Sequence, residues 1–153
     1  MTRALTLCLA ALALVAAGCG GSSKDDYESQ VRDVGKTLEQ TFGDLGTSIS
    51  GSGSTEQAAQ RLEQGATSLD KASRDLAKID PPSEIQAQHK DLVAGLAELA
   101  DEFRTGAAAA KGGDLNKLLQ FASSLQSSKA VRKITKAGDE IEKKGYDFEP
   151  NSG

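Results

Sequence analysis

His89 is the only histidine in the chain, so it is the one imidazole that acid–base, haem or metal chemistry could use. It lies on the apolar side of a predicted helix, between Ile85 and Leu92. One interpretation is a ligand or proton-transfer group between helices; the other is a hydrogen-bonded histidine at a helix boundary. The second is favoured, because the chain after Cys19 has no further histidine, methionine or cysteine to complete a haem site. We expect no metal and no cofactor, and keep His89 as a candidate contact for a ligand or partner.

Motifs for catalysis are missing from the rest of the sequence. There is no Gly-x-Ser-x-Gly nucleophile elbow and no Gly-x-x-x-x-Gly-Lys-Ser/Thr phosphate loop. No Glu-x-x-His pair of a di-iron bundle is present either. Neighbouring carboxylates such as Asp101 and Glu102 fall on polar helix faces, where solvation accounts for them. The sequence predicts that this protein is not an enzyme.

Cys19 is one of two cysteines, with Cys8, and it lies where the sequence changes from apolar to polar. An uncharged apolar run over residues 4–17 precedes it, and a polar stretch over 20–26 follows. The run has the length of a secretory leader and is shorter than the ~20 apolar residues of a spanning helix. A true N-terminal membrane span is the alternative. The small residues just before Cys19 favour a leader, residues 1–18, that is cleaved off.

The stretch Ala16-Ala17-Gly18-Cys19 resembles the lipobox of bacterial lipoproteins, although Ala16 stands where leucine is commonest. In that family the cysteine thiol receives a diacylglycerol, and a signal peptidase cuts just before it. The resemblance therefore implies a lipid on Cys19 and a cell-membrane anchor, with the protein on the extracytoplasmic side. At least two acyl chains make such an anchor stable. The Ala/Gly-rich composition and the Pro81-Pro82-Ser83 turn are similar to those of small helical lipoproteins of actinobacteria.

Charge is unevenly distributed along the chain. Residues 24–110 carry nine Lys/Arg against sixteen Asp/Glu, whereas residues 111–144 carry eight against four. In the second segment four cations occupy one helical face, at i, i+3, i+4 and i+7: Lys129, Arg132, Lys133 and Lys136. This basic stripe either binds anionic lipid, an anionic envelope polymer or an acidic partner, or is a solvated face compensated by acidic helices. The second interpretation is favoured, and the net charge of −4 argues against nucleic-acid binding.

The elements that position these residues are predicted to be helices. Only 4% of residues are aromatic, so Leu, Ile, Val and Ala must build the core, which suits helices better than strands. Apolar residues recur every three or four positions in four segments: 26–49, 54–79, 82–111 and 114–144. Their ends carry the expected signals. Ser54 with Gln57 predicts a capping box, and Gly145 predicts a left-handed helix end that packs Tyr146 on Ile141.

These segments predict an all-α fold, an antiparallel up-down four-helix bundle with a coiled-coil-like seam. A looser pair of helical hairpins is the alternative. The predicted order is a signal peptide (1–18), a flexible tether (19–25), the helical bundle (26–148) and a disordered tail (149–153). Anchored at Cys19, such a bundle would hold the Asp80-Pro81-Pro82 turn and the Tyr146 end near the bilayer.

Two functions follow from this reading of the sequence. The first is a membrane-anchored extracytoplasmic lipoprotein that acts by interaction, as an accessory or scaffold of the cell envelope. Its partners would be the membrane, through the lipid, and another envelope protein or an anionic envelope polymer. The alternative is an extracytoplasmic protein that binds a small apolar or metal ligand between its helices. An apolar cavity of a few hundred Å³ that reaches His89 would favour the alternative.

Overall fold

The structure is a computed structural model that describes residues 22–49, 54–125 and 127–148 of the 153. Every regular element in those ranges is helical. The α-helices are α1 (Lys24–Ile49), α2 (Thr55–Leu76), α3 (Gln86–Lys111), α4 (Leu115–Leu125) and α5 (Lys129–Glu142), and a 3-10 turn, Ser83–Ile85, precedes α3. The predicted all-α fold is confirmed for the described residues. The predicted leader, Cys19, residues 50–53 and the tail over 149–153 lie outside them.

Ser23 makes α1 begin two residues before its predicted start. The Ser23 hydroxyl oxygen accepts a hydrogen bond from the Asp26 amide (3.2 Å), and the Ser23 carbonyl accepts one from the Tyr27 amide (3.0 Å). Asp25 and Asp26 then lie in the first turn, where the helix dipole stabilises negative charge. The end of the polar stretch that was predicted to be a tether is therefore helical.

Pro81 and Pro82 lie between α2 and α3, and they shift the start of α3 towards the C-terminus. Helix α2 stops at Leu76, short of the predicted end at Ile79, and Asp80 avoids the helical conformation because a proline follows it. The Pro82 carbonyl then accepts a hydrogen bond from the Ile85 amide (3.0 Å), which closes the 3-10 turn. The third helix, predicted to open at residue 82, consequently becomes regular only at Gln86.

The prediction of one fourth helix over 114–144 is wrong, because the structure divides this segment into α4 and α5. Hydroxyl groups near the break donate to main-chain carbonyls three residues earlier: those of Ser123, Ser124 and Ser127. Such bonds offer the backbone an alternative to the helical ladder. Ser128 then caps α5, since its oxygen accepts a hydrogen bond from the Val131 amide (3.1 Å).

Helix α3 lies at the centre of the packing. It contacts α2, α4 and α5, and α1 contacts α2. The largest completely buried side chains are those of Tyr27, Leu69, Ile85 and Ile141. No helix in the described ranges combines the length and the apolar character that crossing a membrane requires.

Two glycines of α3 let its neighbours approach closely. A Cβ on Gly95 would lie 2.6 Å from Cγ1 of Ile134 in α5, and one on Gly106 would lie 2.8 Å from the Phe121 ring in α4. Gly35 and Gly138 differ, since a Cβ on either would meet no described atom within 4 Å. Interior glycines therefore have two roles here, close contact in α3 and open space in α1 and α5.

Four helix termini lie together at one end of the molecule, which we call the proximal pole. The Ser22 amide donates to the Asp80 carbonyl (3.2 Å), which places the start of α1 beside the turn after α2. The Tyr146 hydroxyl donates to a Glu84 carboxylate oxygen (2.6 Å), which brings the segment after α5 to the start of α3. Gly145 has φ 90°, so the predicted left-handed residue is confirmed.

Candidate functional site

His89 lies in the first turn of α3 at the proximal pole, and only 5% of its surface is exposed. Its Nδ1 atom is 3.0 Å from the Tyr27 hydroxyl of α1. This buried contact joins α1 to α3.

The contact with the Tyr27 hydroxyl accounts for Nδ1 of His89. Burial lowers its pKa, because the charged form is poorly solvated there, and the Leu76 carbonyl and Asp80 only partly oppose the shift. Within the described ranges, no group of three or more His, Cys, Asp or Glu side chains could hold a metal ion. The geometry favours the predicted hydrogen-bonded histidine, although its side chain is more buried than expected.

Aromatic rings surround Tyr27 at the pole. The rings of His89, Tyr146 and Phe148 all meet it edge to face, with centroid distances of 5.6, 5.8 and 6.1 Å. Burial raises the pKa of Tyr27 to about 12. The pKa of Tyr146 is also raised to about 12, by burial and by its hydrogen bond to Glu84. Both phenols therefore remain protonated donors at any physiological pH.

Two carboxylates complete this set of contacts, the buried Glu28 and the exposed Glu84. Glu28 is 8% exposed, accepts a hydrogen bond from the Asp147 amide (2.8 Å) and lies 3.7 Å from the Lys24 ammonium. The hydrogen bond from Tyr146 lowers the pKa of Glu84. We call the combined group the pole cluster: Tyr27, Glu28, Glu84, His89, Tyr146 and Phe148. Each polar member has a partner, so the cluster is suited to fixing chain ends rather than to activating a substrate.

The sequence did not predict the pole cluster. Tyr27 and His89 are separated by 62 positions, and Glu28 and Asp147 by 119, so only the packing of the helices brings them together. One signal was present. The chain has six Tyr and Phe residues in all, and three of them, Tyr27, Tyr146 and Phe148, lie near its two ends.

Two grooves run along the helices. The first, which we call the His89 groove, has a volume of about 600 Å³ and lies between α2 and α3, with the His89 ring in its wall. The second, which we call the α1 groove, has a volume of about 210 Å³ and lies between α1 and α5. Leu76, Leu92 and Leu96 from the core line the α1 groove.

The four cations of the basic stripe have different partners in the structure. Lys133 pairs with Glu98 of α3, and an Arg132 guanidinium nitrogen donates to the Ser127 carbonyl. Lys136 lies 3.8 Å from Glu140 and is 77% exposed, and Lys129 is exposed at the first turn of α5. Pairing with an acidic neighbour, as the compensated interpretation requires, is seen directly for Lys133.

Comparison of the chain with protein-family models, with curated proteins and with solved structures finds no match.

Proposed function

We propose that this protein is a lipid-anchored, extracytoplasmic helical protein that acts by interaction, as an accessory or scaffold of the cell envelope, without catalysis and without a cofactor. The observation that carries the proposal is the attachment of Ser22 to Asp80 at the proximal pole. Ser22 is three positions after Cys19, a distance of at most about 11 Å along an extended chain. A lipid on Cys19 would therefore hold this pole, and no other part of the molecule, against the bilayer.

In this proposal the helices form an antiparallel up-down bundle in which α4 and α5 together replace the fourth helix. The meeting of the start of α1, the end of α2 and the start of α3 at one pole supports it. The Lys133–Glu98 and Gln88–Glu140 contacts also support it, because the residue numbers rise in α3 as they fall in α5. The turn at Gly112 and Gly113 would then lie about 39 Å from the membrane side, since α3 has 26 residues.

The outward end is the surface we assign to a partner protein. Leu115 and Leu119 of α4 are 58% and 68% exposed, although the same helix packs Phe121 on α3. Exposed leucines one turn apart are typical of contact surfaces. The basic stripe is less suitable, because Lys133 is already paired with Glu98.

Lipidation is tested by intact-mass analysis of the membrane-bound protein. We expect a chain that begins at Cys19 and carries acyl chains, and we expect Cys19→Ala to release or mislocalise it. Cys8→Ala is the matched control, since that residue would leave with the leader. A mature chain that retains residues 1–18 without acylation would contradict the proposal.

A second function is supported by the grooves. Binding of a small apolar ligand between helices requires a cavity with apolar walls, and the His89 groove and the α1 groove both provide one. The metal-binding form of this alternative has less support, because Nδ1 of His89, the only imidazole in the sequence, contacts the Tyr27 hydroxyl. Ligand binding is compatible with the lipid anchor, since the grooves lie along the helices.

A further inference from the structure

Helix α4 has an apolar face that no described residue covers. Leu115 and Leu119, one turn apart, are 58% and 68% exposed, and the exposed Ala122 continues the same face. Another side of the helix packs on α3, where the rings of Phe121 and Phe103 meet edge to face at 5.7 Å. No residue of α4 is itself buried. The face therefore lies on the outside of the bundle, where it is accessible to another molecule.

The face is also uncharged. Among the described helices, α4 has a single charged residue, Lys117, whose ammonium lies 3.1 Å from Asp114. Residues 118–128 carry no charged side chain, although 26% of the whole chain is charged. The exposed polar neighbours of the leucines include Asn116 and Gln120, whose amides both donate and accept hydrogen bonds. Such a face is complementary to itself, because identical side chains can meet across it without like-charge repulsion.

The lipid anchor of the proposed function determines how two copies would meet. Helix α4 runs antiparallel to α3, since Phe121 contacts Phe103 and lies beside Gly106 after the turn at Gly113. Two copies that are anchored through Cys19 in one bilayer have the same orientation, so their α4 helices are parallel. A two-fold axis along the membrane normal then places each residue of the face opposite its own counterpart. In this arrangement any charge on the face would repel itself, and the face has none.

We propose that α4 binds α4 of a second copy of this chain, in parallel and about a two-fold axis, as a weak dimer on the membrane surface. Leu115, Leu119 and Ala122 form the seam, at the i, i+4 and i+7 spacing of residues that face a partner helix. The inference rests on the proposed function, and it identifies the partner of the outward end as the protein itself.

The small size of the seam makes the dimer depend on the membrane. The 11 residues of α4 form a strip about 16 Å long and about 10 Å wide. This is far less than the ~800 Å² that each partner of a stable complex buries. Confinement of both copies to one bilayer raises their local concentration, which compensates for a weak contact.

Disulfide cross-linking of the lipidated chain in phosphatidylcholine vesicles tests the pairing. Leu115→Cys and Ala122→Cys each add one thiol to the seam. Cys8 and Cys19 add none, because in the proposed mature chain the first has left with the leader and the second is acylated. After oxidation with copper phenanthroline, both variants should give a disulfide-linked dimer.

Gln64→Cys is the matched control for random collision. Gln64 is exposed on α2, and the neighbouring Glu63 pairs with Lys111, so the control thiol lies at the same end of the bundle as α4. The two seam variants should give about tenfold more dimer than Gln64→Cys, since a specific contact raises the effective concentration of the thiols.

The same two variants distinguish parallel from antiparallel pairing. Antiparallel helices that cross at Leu119 would separate the two copies of residue 115 by about 12 Å along the axis, and those of residue 122 by about 9 Å. Both separations exceed the ~7 Å between Cα atoms that a disulfide can bridge. Linking of Leu115→Cys to Ser123→Cys, with no dimer of Leu115→Cys alone, would show antiparallel pairing and overturn the inference.

Leu119→Glu, added to the Ala122→Cys protein, places two like charges opposite each other in the dimer. It should reduce cross-linking about tenfold while helix content is unchanged, because Leu119 is 68% exposed and its replacement leaves the core intact. Gln64→Glu is the matched control, since it adds the same charge on α2 and should leave the yield unchanged. An equal yield with and without Leu119→Glu would contradict a seam at this residue.

Intact mass separates failure of the inference from failure of the proposed function. If Cys19 is acylated and Ala122→Cys links no better than Gln64→Cys, the self-association is wrong and the anchor stands. If Cys19 carries no acyl chain, the anchor is wrong and the parallel pairing fails with it. Thiols at 115 and 122 that give no dimer and are shielded from a water-soluble maleimide would place the face in the bilayer, which also overturns the inference.

Discussion

At the scale of the residue, the contact between Tyr27 and His89 decides how α1 is held. The phenolic oxygen lies 3.0 Å from Nδ1 of His89, and this buried hydrogen bond joins α1 to α3. Neither group could be assigned this role from the sequence, because a histidine on an apolar helix face has many compatible partners. The sequence did show that no second histidine, methionine or cysteine follows Cys19 to complete a haem site with His89. That argument depends only on composition.

Tyr27→Phe should reduce the free energy of unfolding by about 1–3 kcal/mol, because it leaves Nδ1 of His89 buried without a hydrogen-bond partner. Urea denaturation of the full chain measures the loss. Tyr146→Phe is the control for removal of a phenolic hydroxyl, since its partner Glu84 is exposed and can be solvated. A cost for Tyr27→Phe no greater than that for Tyr146→Phe would mean that the buried bond contributes little.

His89 also makes stability depend on pH in a defined direction. Burial lowers its pKa below the ordinary value of 6.5, so just below pH 6.5 the unfolded chain binds a proton that the folded chain does not. The free energy of unfolding should therefore be highest above pH 6.5 and should fall as the pH is lowered through that value. Urea midpoints from about pH 7.5 to about pH 5.5 test this, above the range where ordinary carboxylates titrate. His89→Gln should remove most of the fall, and an identical fall in both proteins would assign it to other groups.

At the scale of the element, the sequence predicted which segments are helical and failed where side chains compete with the backbone. The 3.6-residue pattern continues from Leu118 to Ile141, so it predicts one helix. The serines over 123–128 interrupt that helix through their own hydrogen bonds, a local effect that apolar periodicity does not record. The early start of α1 has the same cause, since the Ser23 side chain supplies the cap.

Gly95→Ala should destabilise the protein by about 1–3 kcal/mol, because the added methyl group would lie 2.6 Å from Cγ1 of Ile134 and would push α5 away from α3. Gly138→Ala is the matched control, with open space and a helical position, and it should stabilise by up to about 1 kcal/mol. Thermal unfolding of the two variants measures the contrast. If both variants are stabilised, α5 packs less closely on α3 than described.

Gly145→Ala should reduce stability by about 1 kcal/mol, because φ is 90° at this position and alanine resists positive φ. The Gly145 amide donates to the Glu142 carbonyl (2.8 Å), which is one of the two hydrogen bonds of the predicted helix end. Gly43→Ala serves as the comparison, a helical and exposed glycine where alanine should stabilise. Denaturation curves in which Gly145→Ala is as stable as Gly43→Ala would contradict the left-handed assignment.

At the scale of the whole molecule, the proximal pole sets the proposed orientation. Spin labels at Ser83, in the turn before α3, and at Asn116, in α4, lie at opposite ends of the proposed bundle. With the lipidated protein on vesicles, the label at Ser83 should be broadened more strongly by a paramagnetic lipid than the label at Asn116. Equal broadening would indicate a bundle that lies flat on the bilayer. Cys19→Ala protein mixed with the same vesicles is the control for contact without the anchor.

The hydrogen bond between Glu28 and the Asp147 amide also determines which part of the fold can form last. The two residues are 119 positions apart, so the loop that this contact closes contains almost the whole domain. A chain that is synthesised N-terminus first cannot complete it until the final residues have been added, whereas α2 and α3 are joined by a short turn and can pair early. Because Tyr27 and Tyr146 are the only tyrosines and the chain has no tryptophan, tyrosine fluorescence reports closure of this pole alone. In stopped-flow refolding, the fluorescence signal should therefore appear after the circular-dichroism signal of helix formation, because the proximal pole is the last part of the fold to form. Simultaneous signals would show a single concerted step.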